Sequence, residues 1–156
     1  MKKLLTPWIA LIALLALAAA PVARANTGIE LAVVVHAGTR VTSMSAVEME
    51  TVFTRSQTRW QDGTPIVPIN TTPGSETRVL FDKAVLRLDP DEVGRFWIDR
   101  RIRGFGLPPR HVADHGTIVR VVEKLAGSIG YVPEPLARQA KLKIVARIRN
   151  GKVLPP

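Results

Sequence analysis

The sequence predicts an α/β fold: a single lobe built as a three-layer sandwich around a mostly parallel or mixed sheet. Short β-branched runs at 29–35, 66–69 and 128–132 alternate with segments whose apolar residues recur at helical spacing. Residues that cap helices stand in front of several of those segments. In a chain of 156 residues this alternation is typical of one α/β domain. We expect about four or five strands.

The first strand and the first helix are predicted from the residues before position 55. Residues 29–35 form a near-continuous apolar run with three successive valines, as expected for a strand covered on both faces. Ser45 and Glu48 have the spacing of a capping box, which predicts a helix over about 46–54. After a turn at 60–65, residues 66–69 are predicted to form a short second strand.

A polar loop and two helices are predicted next. Residues 70–78 lead into apolar residues at helical spacing that end at Leu88. Asp89 is placed to cap another helix, with Pro90 at its first position. Residues 100–110 carry four arginines together with glycine and proline, and we expect them to form a basic loop.

The last third of the sequence predicts one more helix and two strands. Asp114 is expected to cap a helix that ends at Gly127, and residues 128–132 are predicted to form a strand. A half-exposed strand with a cationic outer face is predicted from four alternating apolar residues, Leu142, Ile144, Ala146 and Ile148. Asn150 and Gly151 mark the turn after it.

Residues 1–25 have the pattern of a secretory signal. Lys2 and Lys3 precede an apolar run of 13 residues at 8–20, and residues 23–25 offer small side chains at a cleavage site. The run is shorter than the ~20 residues that span a bilayer. We therefore expect cleavage after Ala25, a single lobe over 26–156 in the periplasm, and no stable membrane insertion afterwards.

The composition excludes several classes of site. The chain has no cysteine, which excludes thiol catalysis, zinc–thiolate and iron–sulfur centres, and a lipid anchor on cysteine. The formal net charge of +9 falls to +6 when Lys2, Lys3 and Arg24 leave with the signal. Only Phe105 interleaves the basic loop as a stacking aromatic, so we expect no nucleic-acid binding.

Metal, cofactor and catalytic sites are not predicted. His111 and His115 stand four residues apart, but no third ligand lies nearby, so a surface pair is favoured over a metal site. No serine stands in a nucleophile elbow. We expect no cofactor and no enzymatic activity.

The strongest candidate site is an anion-binding loop at 73–78. Here Gly74, Ser75, Thr77 and Arg78 stand where a predicted strand ends and a helix begins. Free backbone amides at a helix start carry partial positive charge, and hydroxyl and guanidinium groups add donors for an oxyanion. The alternative interpretation is that Ser75 only caps its helix.

Three stretches follow one another along the chain: residues 52–63, Gly74-Ser75-Glu76-Thr77 and Gly127-Ser128-Ile129-Gly130-Tyr131-Val132. In this order they resemble the periplasmic phosphate-binding component of ABC transporters, a member of the type 2 periplasmic binding protein superfamily. The last two are similar to a Gly-Ser-Gly-Thr phosphate loop and a Gly-Ala-Ile-Gly-Tyr-Val strand of the family. The resemblance implies that Ser75 and Thr77 bind the anion, and that the protein takes part in ABC-type uptake.

The sequence departs from that family in three ways. Glu76 replaces the second glycine of the loop, Thr71 stands where the family has an arginine, and residues 26–156 suffice for one lobe of a two-lobe binding protein. We therefore expect weak binding of inorganic phosphate or a similar oxyanion. The expected partners are a membrane permease, a sensor or a second copy of the chain. The alternative is a non-catalytic interaction or sensor module that has lost ligand binding.

Overall fold

A computed structural model describes residues 28–156. The signal predicted at 1–25 lies outside these residues. Between residues 28 and 156, no helix is long and apolar enough to cross a membrane.

Strands and helices alternate along the described chain. The strands are β1 (Leu31–Val35), β2 (Val67–Thr71), β3 (Arg110–Val112), β4 (Ser128–Pro133), β5 (Lys143–Arg149) and β6 (Lys152–Leu154). The helices are α1 (Ala46–Phe53), α2 (Glu76–Phe81), α3 (Pro90–Ile102), α4 (His115–Lys124) and α5 (Glu134–Gln139). A π-helical turn, Asp82–Leu86, continues α2.

The strands form one mixed sheet in the order β3-β2-β4-β1-β5-β6. β2 is parallel to both β3 and β4, whereas β1 is antiparallel to β4 and β5. β5 and β6 form a hairpin around Asn150 and Gly151, both at positive φ, as a type I′ turn requires. This arrangement confirms the predicted α/β class with a mixed sheet. The predicted number of strands is too low, because β3 and β6 have only 3 residues each.

Helices cover both faces of the sheet, which confirms the three-layer sandwich. One face packs against α1, α2 and α3, and its centre holds the rings of Phe53, Phe81 and Tyr131. The other face packs against α4 and α5 through Ile118 and the residues around it. Among the described residues, both cores are built from residues between 29 and 153.

Local capping explains where the helices begin. Ser45 and Glu48 make both bonds of the predicted capping box at α1. Asp89 caps α3 with Pro90 at its first position, and Asp114 accepts the Thr117 amide at 2.8 Å in front of α4. Each cap satisfies amides that have no partner inside the helix, which fixes the start of the helix from a few neighbouring residues.

The extent of two helices differs from the prediction. α3 runs to Ile102, so Arg100 and Arg101 belong to its last turn and the basic loop is confined to 103–109. Cationic side chains at a helix C-terminus are stabilised by the partial negative charge of the free carbonyls there. Arg100 and Arg101 therefore favour a helix that continues to Ile102. α4 ends at Lys124 instead of Gly127.

The prediction of one apolar face along β5 is wrong, because a β-bulge interrupts the strand. Leu142 and Ile144 pack beneath α4 and α5, whereas Ala146 and Ile148 pack on the opposite face. The pairing of β1 with β5 skips Val145. Side chains alternate with a period of two, so one extra residue moves the following side chains to the other face.

Candidate anion-binding site

The loop 73–78 connects the C-terminal end of β2 to the start of α2. Gly74 has a φ of +79°, a left-handed conformation that side chains disfavour and that allows the chain to turn here. The Ser75 amide donates to the Thr72 carbonyl at 3.1 Å and closes the turn. Gly74 therefore shapes the loop and places Ser75 in front of the helix.

Ser75 is the N-cap of α2. Its Oγ accepts the Arg78 amide at 3.4 Å and donates to Thr71 Oγ1 at 3.1 Å. The simple interpretation of Ser75 as a cap is therefore correct for its side chain. Within residues 28–156, the amides of Glu76 and Thr77 donate no hydrogen bond to the protein. These first-turn amides are the groups that an anion would meet.

A hydrogen-bonded chain of side chains ties the loop to the sheet. Thr71 Oγ1 accepts from Ser75 and, at 3.3 Å, from Thr77. The Tyr131 hydroxyl accepts the Thr71 amide and donates to Asn70 Oδ1, both at 3.3 Å. Thr71 therefore donates its own proton to the Tyr131 oxygen, which lies 3.2 Å away. Each of these buried groups has a partner, so the base of the loop is held firmly.

His115, the first residue of α4, closes this cluster. Its Nε2 lies 3.2 Å from Thr77 Oγ1. Because Thr77 gives its proton to Thr71, Nε2 carries a proton and donates to Thr77. Burial lowers the pKa of the His115 imidazole, and the Asp114 carboxylate partly offsets this. No sequence pattern predicts this contact, since the two residues are 38 positions apart.

Arg78 is buried and held within the protein. Its Nε donates to Asp82 Oδ2 at 2.6 Å, and its Nη1 donates to the Thr71 carbonyl at 3.4 Å. Burial raises the pKa of the Asp82 carboxyl, and the Arg78 guanidinium partly offsets this. Arg78 thus places a guanidinium beside Thr71, the position where the family that the sequence resembles has an arginine. Asp82 balances much of the charge of this guanidinium.

Glu76, the first residue of α2, brings a carboxylate to the start of the helix. Its side chain is exposed and makes no hydrogen bond or ion pair with the described residues. The amides at 76 and 77 are therefore not occupied by the neighbouring carboxylate.

The four predicted site residues come together as one structure. Ser75, Thr77 and Arg78 all bond to Thr71, and Gly74 forms the turn that precedes them. Sequence reasoning missed His115, Asp82 and the hydroxyl of Tyr131. Among residues 28–156, no group of three or more His, Asp or Glu side chains is placed to hold a metal ion.

The buried hydroxyl of Tyr131 leads to a spectroscopic prediction. Burial is the main cause that raises the pKa of this phenol to about 12. Tyr131 is the single tyrosine of the chain, so the ultraviolet absorbance of phenolate reports on it alone. We expect a titration midpoint near 12 in the folded protein and near the ordinary value of about 10 in denaturant.

The same shift makes the fold sensitive to alkali. The folded state disfavours the phenolate, so the contribution of Tyr131 to stability is complete below pH about 10 and is lost as the pH rises towards 12. A midpoint near 10 in the folded protein would contradict a buried, hydrogen-bonded hydroxyl at the base of the loop.

Comparison with known proteins identifies the fold. No protein-family model and no curated protein matches the chain. Among solved structures, an ABC-type phosphate transport receptor from Vibrio cholerae has a TM-score of 0.58 at 15% identity, over 75% of this chain and 46% of its own. PstS from Borrelia burgdorferi has a TM-score of 0.59 at 16% identity, over 75% and 47%.

A third solved structure was obtained with bound phosphate. It is a protein from Clostridium perfringens assigned as a phosphate ABC transporter substrate-binding protein, with a TM-score of 0.59 at 20% identity, over 75% of this chain and 45% of its own. The chain thus spans less than half the length of each of these proteins. Residues 28–156 have the α/β sandwich fold of one part of phosphate-transport binding proteins.

Proposed function

We propose that this protein is a solute-binding-like lobe that binds phosphate or a similar oxyanion at residues 73–78, in association with ABC-type uptake. One observation carries the proposal: Ser75, Thr77 and Arg78 converge on Thr71 where β2 ends, beside two amides without a partner among the described residues. The bound phosphate of the Clostridium perfringens structure, which shares the fold, gives further support.

Binding requires a small change in the hydroxyl protons. The hydroxyls of Ser75 and Thr77 now donate to Thr71 Oγ1. When an anion binds, both hydroxyls would turn and donate to it, and it would also accept from the amides of Glu76 and Thr77. Thr71 keeps its bond to Tyr131, so the base of the loop stays in place. A single lobe covers the anion on one side only, and weak binding follows from the incomplete exclusion of water.

Isothermal titration with phosphate and with sulfate tests the proposal. We expect a millimolar dissociation constant for residues 26–156 and loss of the signal in the double variant Ser75→Ala/Thr77→Ala, which removes both hydroxyl donors. The matched control Thr42→Ala/Ser43→Ala removes two exposed hydroxyls from another loop and should bind normally.

Substitutions of Glu76 sharpen the same experiment. Glu76→Gln removes a negative charge beside the anion, which is worth about 1 kcal/mol in water at close range, or about a fivefold gain in affinity. Glu76→Gly should gain at least as much, since it also opens the loop. If neither the unchanged chain nor either Glu76 variant shows binding heat at millimolar anion, phosphate binding is rejected.

A second candidate is a non-catalytic interaction or sensor module. It is favoured because Arg78 is balanced by Asp82 and the loop hydroxyls already have partners inside the protein. It predicts no anion response, even in Glu76→Gly. The titration therefore separates the two candidates.

The cellular setting belongs to the proposal as well. We place the lobe, residues 26–156, in the periplasm after removal of residues 1–25, without a lipid anchor because the chain has no cysteine. A permease, a sensor or a second copy would complete the half-covered site. A periplasmic protein that retained residues 1–25, measured by mass spectrometry, would exclude the cleaved form.

A further inference from the structure

The C-terminal half of α3 and the loop after it expose large apolar side chains. The exposed fractions are 54% for Ile98, 78% for Ile102, 61% for Phe105 and 64% for Leu107. Elsewhere in residues 28–156, the other exposed large apolar side chains are Val47, Leu125 and Leu154, which are scattered. Four such residues within ten positions are unusual for a surface that contacts only water. We call residues 98–110 the α3 tip.

The α3 tip is also strongly cationic. It carries four arginines, at positions 100, 101, 103 and 110, and its one acid is Asp99. Arg103 pairs with Asp99 at 2.9 Å, which leaves an excess of three positive charges beside the apolar side chains. A partner for this surface must therefore be both apolar and negatively charged.

An aromatic cage holds the tip in its exposed shape. The Arg100 guanidinium carbon lies 5.5 Å from the Phe96 and Phe105 ring centres and 5.9 Å from the Trp97 ring. The Phe105 amide donates to the Arg100 carbonyl at 2.8 Å. Phe105 is thus fixed by cation–π contact and a backbone bond while most of its ring faces solvent. Its exposure does not come from a loose loop.

The tip protrudes from the protein. Every residue from 101 to 108 is exposed, and Gly104 and Gly106 have no other atoms within 4 Å of the position a side chain would take. To bind a protruding tip, a protein partner must offer a concave acidic pocket. A bilayer can bind the same tip with a flat surface, because that surface deforms. The shape and the charge together favour a lipid surface.

We propose that the α3 tip binds peripherally to membranes that contain anionic phospholipids. Phe105, Leu107 and Ile102 enter the boundary between headgroups and acyl chains, about 5–10 Å deep. The arginines lie at the level of the lipid phosphates, which attract basic residues close to the surface. The structure contains no membrane-crossing helix within residues 28–156, and this mode of binding requires none.

Membrane binding leaves the anion loop accessible. The tip leads into the N-terminal end of β3, whereas the anion loop leaves the C-terminal end of β2, the neighbouring parallel strand. The two features therefore lie at opposite ends of this strand pair. Lipid binding and phosphate binding are independent, and a failure of one does not decide the other.

Co-sedimentation with vesicles tests the proposal on residues 26–156. We expect binding to vesicles of phosphatidylglycerol with phosphatidylcholine, little binding to phosphatidylcholine alone, and a decline with added salt as the charges are screened. The variant Phe105→Ser/Leu107→Ser should lower the vesicle affinity at least about tenfold, because it removes two apolar side chains from the interface. The control Val47→Ser/Leu125→Ser removes exposed apolar side chains elsewhere and should bind normally.

Three results would overturn the proposal. They are no binding to anionic vesicles at low salt, equal binding to both kinds of vesicle, and an unchanged affinity in Phe105→Ser/Leu107→Ser. Sedimentation without vesicles distinguishes a second copy as the partner. Self-association that depends on Phe105 and Leu107, with no vesicle binding, would assign the tip to a dimer interface instead. Circular dichroism checks that both double variants are folded.

Discussion

Replacing Arg78 with methionine lowers the free energy of unfolding by about 3–5 kcal/mol, because it leaves the Asp82 carboxylate buried without its counter-charge. Asp82 is 4% exposed, and one of its oxygens, Oδ1, already lacks a hydrogen-bond partner within residues 28–156. Arg78 supplies the only ion pair that Asp82 makes among those residues. Urea denaturation followed by tryptophan fluorescence measures the loss.

A matched ion pair on the surface provides the control. Arg103 and Asp99 are also four residues apart in a helical segment, but their side chains are 66% and 58% exposed. Arg103→Met should cost less than about 1 kcal/mol, because water already solvates both charges. Equal losses in Arg78→Met and Arg103→Met would show that burial does not determine the effect.

The pH dependence of Arg78→Met gives a second check. Burial raises the pKa of the Asp82 carboxyl, and Arg78 is the residue that offsets this, so the variant loses the offset. The folded variant then favours the protonated carboxyl, so its stability increases as the pH falls towards the ordinary pKa of Asp. We expect the difference from the unchanged chain to shrink at acidic pH. A difference that stays constant would mean that lost packing, not charge, causes the loss.

The elements that the sequence predicted well are set by short-range interactions. Ser45 with Glu48, Asp89 with Pro90, and Asp114 each act over three residues or fewer, so their helices begin where expected. The run at 29–35 gives a strand buried on both faces, because the sheet has helices on each side. Fold class follows from the order of such elements and needs no knowledge of distant contacts.

The features that were missed depend on tertiary contacts. β3 is a three-residue edge strand defined by its pairing with β2, and its own residues are mostly exposed. The bulge at Val145 is visible only once β1 lies beside β5. α5 begins after Pro133 without a side-chain cap, and its local start signals, Glu134 and Pro135 in the first turn, are weak without one. Periodicity along the chain does not report such contacts.

The candidate site divides in the same way. Gly74 and Ser75 were predictable, because a turn and a helix cap are local. The roles of Tyr131 and His115 arise from β4 and α4, which the fold brings to the loop. Arg78 and Asp82 are four residues apart on one helical face, a spacing that could have suggested their ion pair. Its burial could not be predicted, since it depends on how α2 packs against the sheet.

Gly127 is the glycine at which a side chain meets the most severe obstacle. A Cβ there would lie 2.1 Å from the Pro65 carbonyl oxygen, and the residue has a φ of +79°. The Gly127 carbonyl also accepts from Trp60 Nε1 at 3.1 Å and from the Val67 amide at 3.0 Å. Gly127 therefore joins the start of β4 to β2 through a close approach of two backbones.

Gly127→Ala is expected to lower the free energy of unfolding by about 2–5 kcal/mol, from about 1–2 for the left-handed conformation and about 1–3 for the forced separation of the backbones. Gly74→Ala is the matched control, since Gly74 has the same φ of +79° but nothing within 4 Å of its Cβ position. It carries the conformational cost alone, about 1–2 kcal/mol. The difference between the two variants in urea denaturation measures the steric part. Equal losses in the two variants would mean that the backbone at Pro65 moves aside freely. The junction between β2 and β4 would then not require glycine at position 127.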